Sequence, residues 1–254
     1  MRLLLVLSGV LIAGGAVLAV QWTAPGRVAA QVSAKTEEKA AIGLIVRDYI
    51  LANPEVLVEA MQELEKKQET LRDGVAQNAI KTYEGELLRD NDSPVAGNLD
   101  DDVTIVEFTD YQCGYCKRVF PTIEAVMKAD GKLKIVYKEL PILGEASRIA
   151  AYAALASRKQ RRYIVFHKAL MEFKGQLDRA RILEVAASVG IDVPQLEKDM
   201  EDSAIKQIIE RNVALASALG VRGTPAFVIG KQLVPGAVDA ETLKKLVNEA
   251  RALQ

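Results

Sequence analysis

The chain has 254 residues, between one and two domains at about 150 residues each, and carries 33 Lys and Arg against 34 Asp and Glu, a formal net charge of −1. That balance leaves no broad positive field, and nucleic acid is excluded as a partner. Only two cysteines are present, which excludes a framework of several disulfides and a four-cysteine zinc site within one chain.

Met1-Arg2 precedes the uncharged run Leu3–Val20, followed by Gln21 and Trp22. This predicts an export signal over residues 1–30, with Val28-Ala29-Ala30 at the cleavage site. As a helix the run would reach about 27 Å, close to a bilayer core, so an uncleaved anchor with Trp22 at the interface is the alternative. Either outcome puts the remainder outside the cytoplasm, in an oxidising compartment such as the bacterial periplasm.

Residues 31–98 are expected to form a helical stalk and linker. Ile42, Ile45, Val46, Tyr49 and Ile50 recur at helical steps. Asn53-Pro54-Glu55 then restarts a helix, with Asn as N-cap, Pro in the first turn and Glu at the positive end of the macrodipole. Leu57, Met61, Leu64, Gln68, Leu71 and Val75 follow as a heptad seam flanked by Glu63, Glu65, Lys66, Lys67 and Glu69. One seam cannot bury itself in a monomer, so self-association through residues 35–90 is expected, the alternative being that the seam packs on the chain's own C-terminal domain. Asn91–Asn98 is turn-rich and reads as a linker.

The second domain is expected over residues 99–254. Val103–Phe108 predicts a strand, Cys113–Ala129 a helix and Leu133–Lys138 a second strand, a βαβ unit with parallel strands. A helical insert at about 144–219 follows, broken at Gly175, Gly190 and Pro194. Ala226–Ile229, the turn Gly230-Lys231 and Gln232–Val234 form a hairpin, and a helix over Ala240–Leu253 closes the chain. This order gives an α/β fold: a thioredoxin fold with an inserted helical domain, preceded by the stalk.

Both cysteines lie in Cys113-Gly114-Tyr115-Cys116, where a strand gives way to a helix. A helix N-terminus stabilises an anion, which makes Cys113 the nucleophilic thiolate. Cys116, three residues on, shares a face with Phe120, Ile123 and Met127 and is expected to be the buried, resolving sulfur. Half a zinc site and a purely structural disulfide are the competing readings. The first lacks further ligands, because the only histidine is His167, and the second would close too small a loop to constrain the chain. His167 itself is read as a structural residue, Arg158–Arg162 as a solvated helix turn, and Lys117 and Arg118 as either aids to the thiolate or solvent-facing charges.

Glu107-Phe108-Thr109-Asp110-Tyr111-Gln112-Cys113-Gly114-Tyr115-Cys116 resembles the active-site segment of the DsbA-like thiol-disulfide oxidoreductases of bacterial periplasms. Gly223-Thr224-Pro225 corresponds to that superfamily's loop facing the cysteines, and the resemblance implies a cis bond between Thr224 and Pro225. It also matches Glu107 to a buried acid that relays the proton of the resolving cysteine, while the residues alone are equally compatible with a Glu107 carboxylate paired with Lys138 on the next strand. The segment from Ile42 to Gln68 is similar to the N-terminal oligomerisation region of the ScsC-type branch.

Two features depart from DsbA itself: Gly-Tyr stands between the cysteines instead of Pro-His, and Thr precedes the proline instead of Val. The combination is similar to that of the disulfide isomerase DsbC. Tyr115 cannot become cationic as histidine can, so the disulfide is expected to be less oxidising. The resemblance therefore implies a disulfide isomerase or reductase for exported proteins, with Cys113, Cys116 and Glu107 as catalytic residues and Gly114, Tyr115, Thr224 and Pro225 meeting the client. A dithiol oxidase is the alternative within the class, and a copper-binding or holdase surface protein the non-enzymatic one. Expected partners are unfolded or wrongly bridged exported proteins, a membrane redox partner and further copies of the chain. Neither a cofactor nor a resident metal is implied.

Overall fold

The computed structural model describes residues 25–100 and 102–253, with side chains from Thr36 onward. The export segment expected over residues 1–30 lies outside the described residues up to residue 24. Among the described residues no helix is long and apolar enough to cross a membrane. The chain divides into two compact units, the first ending at Leu64 and the second beginning at Glu65.

The first unit holds α1 (Pro25–Ala52) and the start of α2 (Glu55–Thr82). Asn53 behaves differently from the expected N-cap. Its backbone N–H and side-chain amide both donate to the carbonyl of Tyr49, so it closes α1, and the Asn53-Pro54 step leaves only three-residue bonds from Val56 and Leu57 to open α2. The apolar stripe on α1 (Ile42, Ile45, Val46, Tyr49) and the seam residues Leu57, Met61, Leu64, Leu71 and Val75 are all exposed.

In the second unit the end of α2 and the short α3 (Glu84–Leu88) contribute Ala79, Ile80 and Leu87 to the core. Buried structure thus begins well before the expected start at Leu99, because small and aliphatic residues at helical spacing meet the sheet there. The expected linker contains a strand, β1 (Val95–Gly97). It is followed by β2 (Val103–Thr109), α4 (Gly114–Asp130), β3 (Leu133–Glu139), the helices α5 (Glu145–Ala156), α6 (Tyr163–Glu172), α7 (Arg179–Ser188), α8 (Val193–Met200) and α9 (Ser203–Leu219), then β4 (Ala226–Ile229), β5 (Gln232–Pro235) and α10 (Ala240–Ala252). The sheet runs β1-β3-β2-β4-β5; β2 and β3 are parallel and every other pair is antiparallel.

Strand alternation divides the core in two. Ile105, Ile135, Tyr137, Phe227 and Ile229 meet α4 through Val119, Phe120, Ile123 and Val126, and meet α10 through Leu243 and Val247. On the opposite face Val106, Phe108, Val136 and Val228 meet Ile80, Leu87, Leu215 and Leu219. With both faces covered, β2 and β3 are buried almost throughout, as parallel strands are.

The insert breaks where expected at Gly175 and Gly190, but Pro194 sits in the first turn of α8, where its missing N–H costs nothing, and Asp192 caps that helix by accepting from Gln195. Two further breaks occur at Ser157–Arg162 and at Asp202. At the first, Arg161 is left-handed (φ 57°), and Arg158 donates to the carbonyls of Asp92 and Asn91 at 2.5 and 2.8 Å. The basic run read as a solvated turn therefore ties the insert to the segment before β1.

Candidate active site

The parallel pair β2–β3 ends in a turn that Asp110 organises. Its Oδ1 accepts from the Gln112 N–H at 2.8 Å, its Oδ2 accepts from the N–H groups of Ile142 and Leu143, and its carbonyl accepts from the Cys113 N–H. This fully bonded, buried carboxylate fixes the entry into α4, for which Cys113 is the N-cap in extended conformation. Cys113 thus stands at the N-terminal end of a 17-residue helix, where unpaired N–H groups and the macrodipole concentrate partial positive charge.

Both thiols are free in this structure. Cys113 retains 6% exposure and Cys116 none, so only the first is open to an incoming sulfur. The Cys113 thiol donates to the Thr224 carbonyl at 3.1 Å, and the Thr224–Pro225 bond is cis. Pro225's carbonyl accepts from Gly236, which joins this loop to the end of β5. Thr224 Oγ1 is buried without a hydrogen-bond partner.

Gly114 has open space where a Cβ would stand, and Tyr115 projects outward with its ring under the Arg118 guanidinium at 4.7 Å. Lys117 donates to the Phe173 carbonyl at 2.8 Å, and burial pulls its pKa down. The two cations after Cys116 are therefore engaged with an aromatic ring and a carbonyl.

Beneath Cys116 the sheet is polar. Glu107 is wholly buried, and that burial raises its pKa to about 8, with the Glu139 charge adding to the effect and the Thr109 hydroxyl opposing it. Burial likewise pushes the Cys116 thiol up, reinforced by Glu107 and Cys113. The pairing of Glu107 with Lys138 is not formed. In the parallel register Glu107 lies beside Tyr137, and Lys138 lies beside Phe108 on the opposite face, where its ammonium pairs with Asp90 at 2.8 Å.

A second buried cluster flanks the first. Glu139 Oε1 accepts from the hydroxyls of Tyr111 (2.7 Å) and Tyr163 (2.6 Å), and Tyr111 Oη lies 2.8 Å from His167 Nδ1. Because Tyr111 spends its proton on Glu139, the imidazole N–H is the donor to Tyr111. Burial raises Glu139 to about 8 and lowers His167 to about 3, so His167 is a neutral, structural residue surrounded by Tyr111, Phe120, Tyr137 and Tyr163. Asp110, Tyr111 and Glu139 carry no role in the sequence reasoning. The one available signal is the pair Lys138-Glu139 directly after the apolar run Ile135-Val136-Tyr137, a position where charges must find buried partners.

Residues 104–248 match the model of the DSBA-like thioredoxin domain. The chain belongs to the DsbA-like thioredoxin family. Residues 38–70 of this DsbA-like chain also match the model of the copper resistance protein ScsC N-terminal domain. Among solved structures, it is similar to a thioredoxin-like oxidoreductase from Silicibacter pomeroyi DSS-3, with 44% identity, TM-score 0.65, and coverage of 66% of this chain and 97% of that one. A Proteus mirabilis ScsC linker-deletion mutant is 31% identical at TM-score 0.67, covering 85% of this chain and 96% of that one. A curated relative of a different kind is the Na(+)/H(+) antiporter NhaA of Herminiimonas arsenicoxydans, 27% identical over 62% of this chain. The chain spans about a quarter of that antiporter's length. The DsbA-like chain is thus built on a thioredoxin fold with an N-terminal helical region.

Proposed function

We propose that this protein is a periplasmic disulfide isomerase or reductase that acts on exported proteins as an assembly of several chains. One observation carries the redox part: a single sulfur, Cys113, is open to a client at a helix N-terminus, while its partner Cys116 is sealed over a buried carboxyl. Cys113 attacks a client disulfide through its thiolate; a Cys113–client bond forms, and the second client sulfur leaves with the electron pair. A client thiol, or Cys116, then attacks Cys113 and releases the client rearranged or reduced. Glu107 exchanges the proton of Cys116, and the Thr224-Pro225 loop with Gly114 and the outward Tyr115 forms the surface against which the client backbone lies.

Isomerase or reductase work over oxidation is supported by Tyr115, which adds no cationic charge beside Cys113, and by Lys117 and Arg118, which are engaged elsewhere. Assembly is supported by the exposed apolar residues of α1 and α2 and by the ScsC-type match over the same stretch. Association through residues 35–90 would gather several sites around one misfolded client, and a membrane redox partner would keep Cys113 reduced. The test is paired: the purified protein should reactivate scrambled ribonuclease and be slow to oxidise the reduced enzyme. The reverse pattern would make it an oxidase, and activity that survives Cys113→Ser would remove the redox reading altogether.

A further inference from the structure

Between α4 and α6, at the β1 edge of the sheet, lies a cavity of about 530 Å³ that neither cysteine lines. Small-molecule sites span about 300–1,000 Å³, with apolar and aromatic walls and a few placed polar groups. Here the walls are Phe120 and Met127 of α4, Tyr137 of β3 and Ile164 of α6, and His167 completes them. His167 is 1% exposed. Its Nδ1 is turned to the Tyr111 hydroxyl at 2.8 Å, and Tyr111 does not line the cavity. The other ring nitrogen, Nε2, is buried without a hydrogen-bond partner, although buried polar atoms are nearly always paired. The tautomer follows from the cluster behind it. Tyr111 donates to Glu139, so Nδ1 carries the imidazole proton and Nε2 is left with a bare lone pair on the cavity side. At the mouth Lys168 reaches across from α6 to Glu124 of α4 and also pairs with Glu172, its ammonium 5.6 Å from the centre of the Phe120 ring.

We propose that this cavity binds a small, uncharged aromatic molecule whose hydroxyl or N–H donates to His167 Nε2, in chemical class a phenol or an indole. The ring lies against Phe120, Tyr137 and Ile164, where edge-to-face and offset contacts with aromatic walls are available. The donor is set by the tautomer: an acceptor would meet the Nε2 lone pair head on, and a plain hydrocarbon would leave that buried acceptor unpaired. The absence of charge is set by the mouth. Lys168 already has two carboxylates as partners, so an ionised ligand would give up its hydration without gaining a counter-charge there.

His167 is the only histidine of the chain, so nitrogen-15 histidine labelling of the full protein gives a single pair of ring signals to follow by NMR. In the free protein Nδ1 should be protonated and Nε2 bare. Phenol should move the Nε2 signal upfield in a saturable way. Toluene, of similar shape but without the donor, should bind about tenfold more weakly, the worth of one hydrogen bond to a buried acceptor. Ala125 lines the cavity from an exposed position on α4, so Ala125→Trp should fill the space and abolish the phenol shift while the unfolding midpoint stays unchanged. His167→Phe, followed by calorimetry, should bind phenol and toluene equally; if that variant fails to fold, the phenol–toluene comparison in the wild type asks the same question. A protonated Nε2 in the free protein, an Nε2 signal that phenol does not shift to saturation, equal affinity of the wild type for both probes, or an undiminished phenol shift in Ala125→Trp overturns the proposal.

Discussion

Glu107 and Glu139 are both sealed beneath the active-site helix, and both have a pKa near 8 against the ordinary 4.5. Between those values the folded protein holds protons that the unfolded chain has released. Their stabilisation is fully present below about pH 4.5 and is lost as the pH rises through about 8. His167, lowered from 6.5 to about 3, acts in the opposite sense, but only below about pH 6.5. From 6.5 to 8 the carboxyls act alone. In a Cys113→Ser background the unfolding free energy should fall over that window, by at most about 1.4 kcal/mol per pH unit for each carboxyl. Glu139→Gln keeps an acceptor for Tyr111 and Tyr163 and should remove about half of the slope. A flat wild-type profile in denaturant titrations would refute this. The cysteine pair was legible in the sequence because its chemistry is local, a thiol at a helix start. Glu139 was not, since its partners lie 28 and 24 residues away and only the fold brings them together. The reading that pairs Lys138 with Glu107 fails for a related reason: in a strand buried on both faces, composition does not tell which side a charge takes.

At the scale of elements, the sequence order of strands and helices carried the βαβ unit, the insert and the final hairpin, each marked by periodicity and by Gly, Pro or Asp at its ends. It missed β1, three residues of a turn-rich stretch whose strand character comes from pairing with β3 at Val95–Val136 and Ala96–Ile135. What anchors that stretch is Asp90. Burial raises its pKa, but the hydrogen bonds from Lys138, the Asp92 N–H and Ser93, together with the Lys138 charge, more than offset this and leave the carboxyl below its usual value. Lys138 is 1% exposed and Asp90 20%, so removing the acid strands a buried ammonium. Asp90→Ala should cost about 3 kcal/mol, whereas Lys138→Met, which removes the charge and keeps the volume, should be neutral or stabilising. Urea unfolding of the two variants checks this. An equal loss in both would mean that the pair holds the segment by mutual attraction more than by avoiding an orphaned charge.

For the whole molecule the open question in the sequence was where the heptad seam goes. Leu57, Met61, Leu64 and Leu71 are 49 to 70% exposed. Apolar rows of this length on a charged helix are uncommon on monomers. By contrast, Ala76, Ala79 and Ile80, further along the same helix, are buried. The helix therefore changes role near its last two turns, from unpartnered surface to core. A truncation at Leu99 would thus remove core residues along with the seam and confuse unfolding with loss of assembly. Substitution within the seam separates the two. Met61→Glu with Leu64→Glu adds charge at exposed positions, so the fold should keep its unfolding midpoint while the assembly dissociates. Light scattering should report a multiple of the chain mass for the wild type and a single chain for the double variant. Scrambled-ribonuclease reactivation should fall with the mass, while dithiobisnitrobenzoate reduction per site stays constant, because the gain from assembly is effective concentration at a shared client and leaves the sulfur chemistry of each site unchanged. A single-chain mass for the wild type would refute association through the seam, and full isomerase activity in the dissociated variant would show that assembly contributes nothing to client repair.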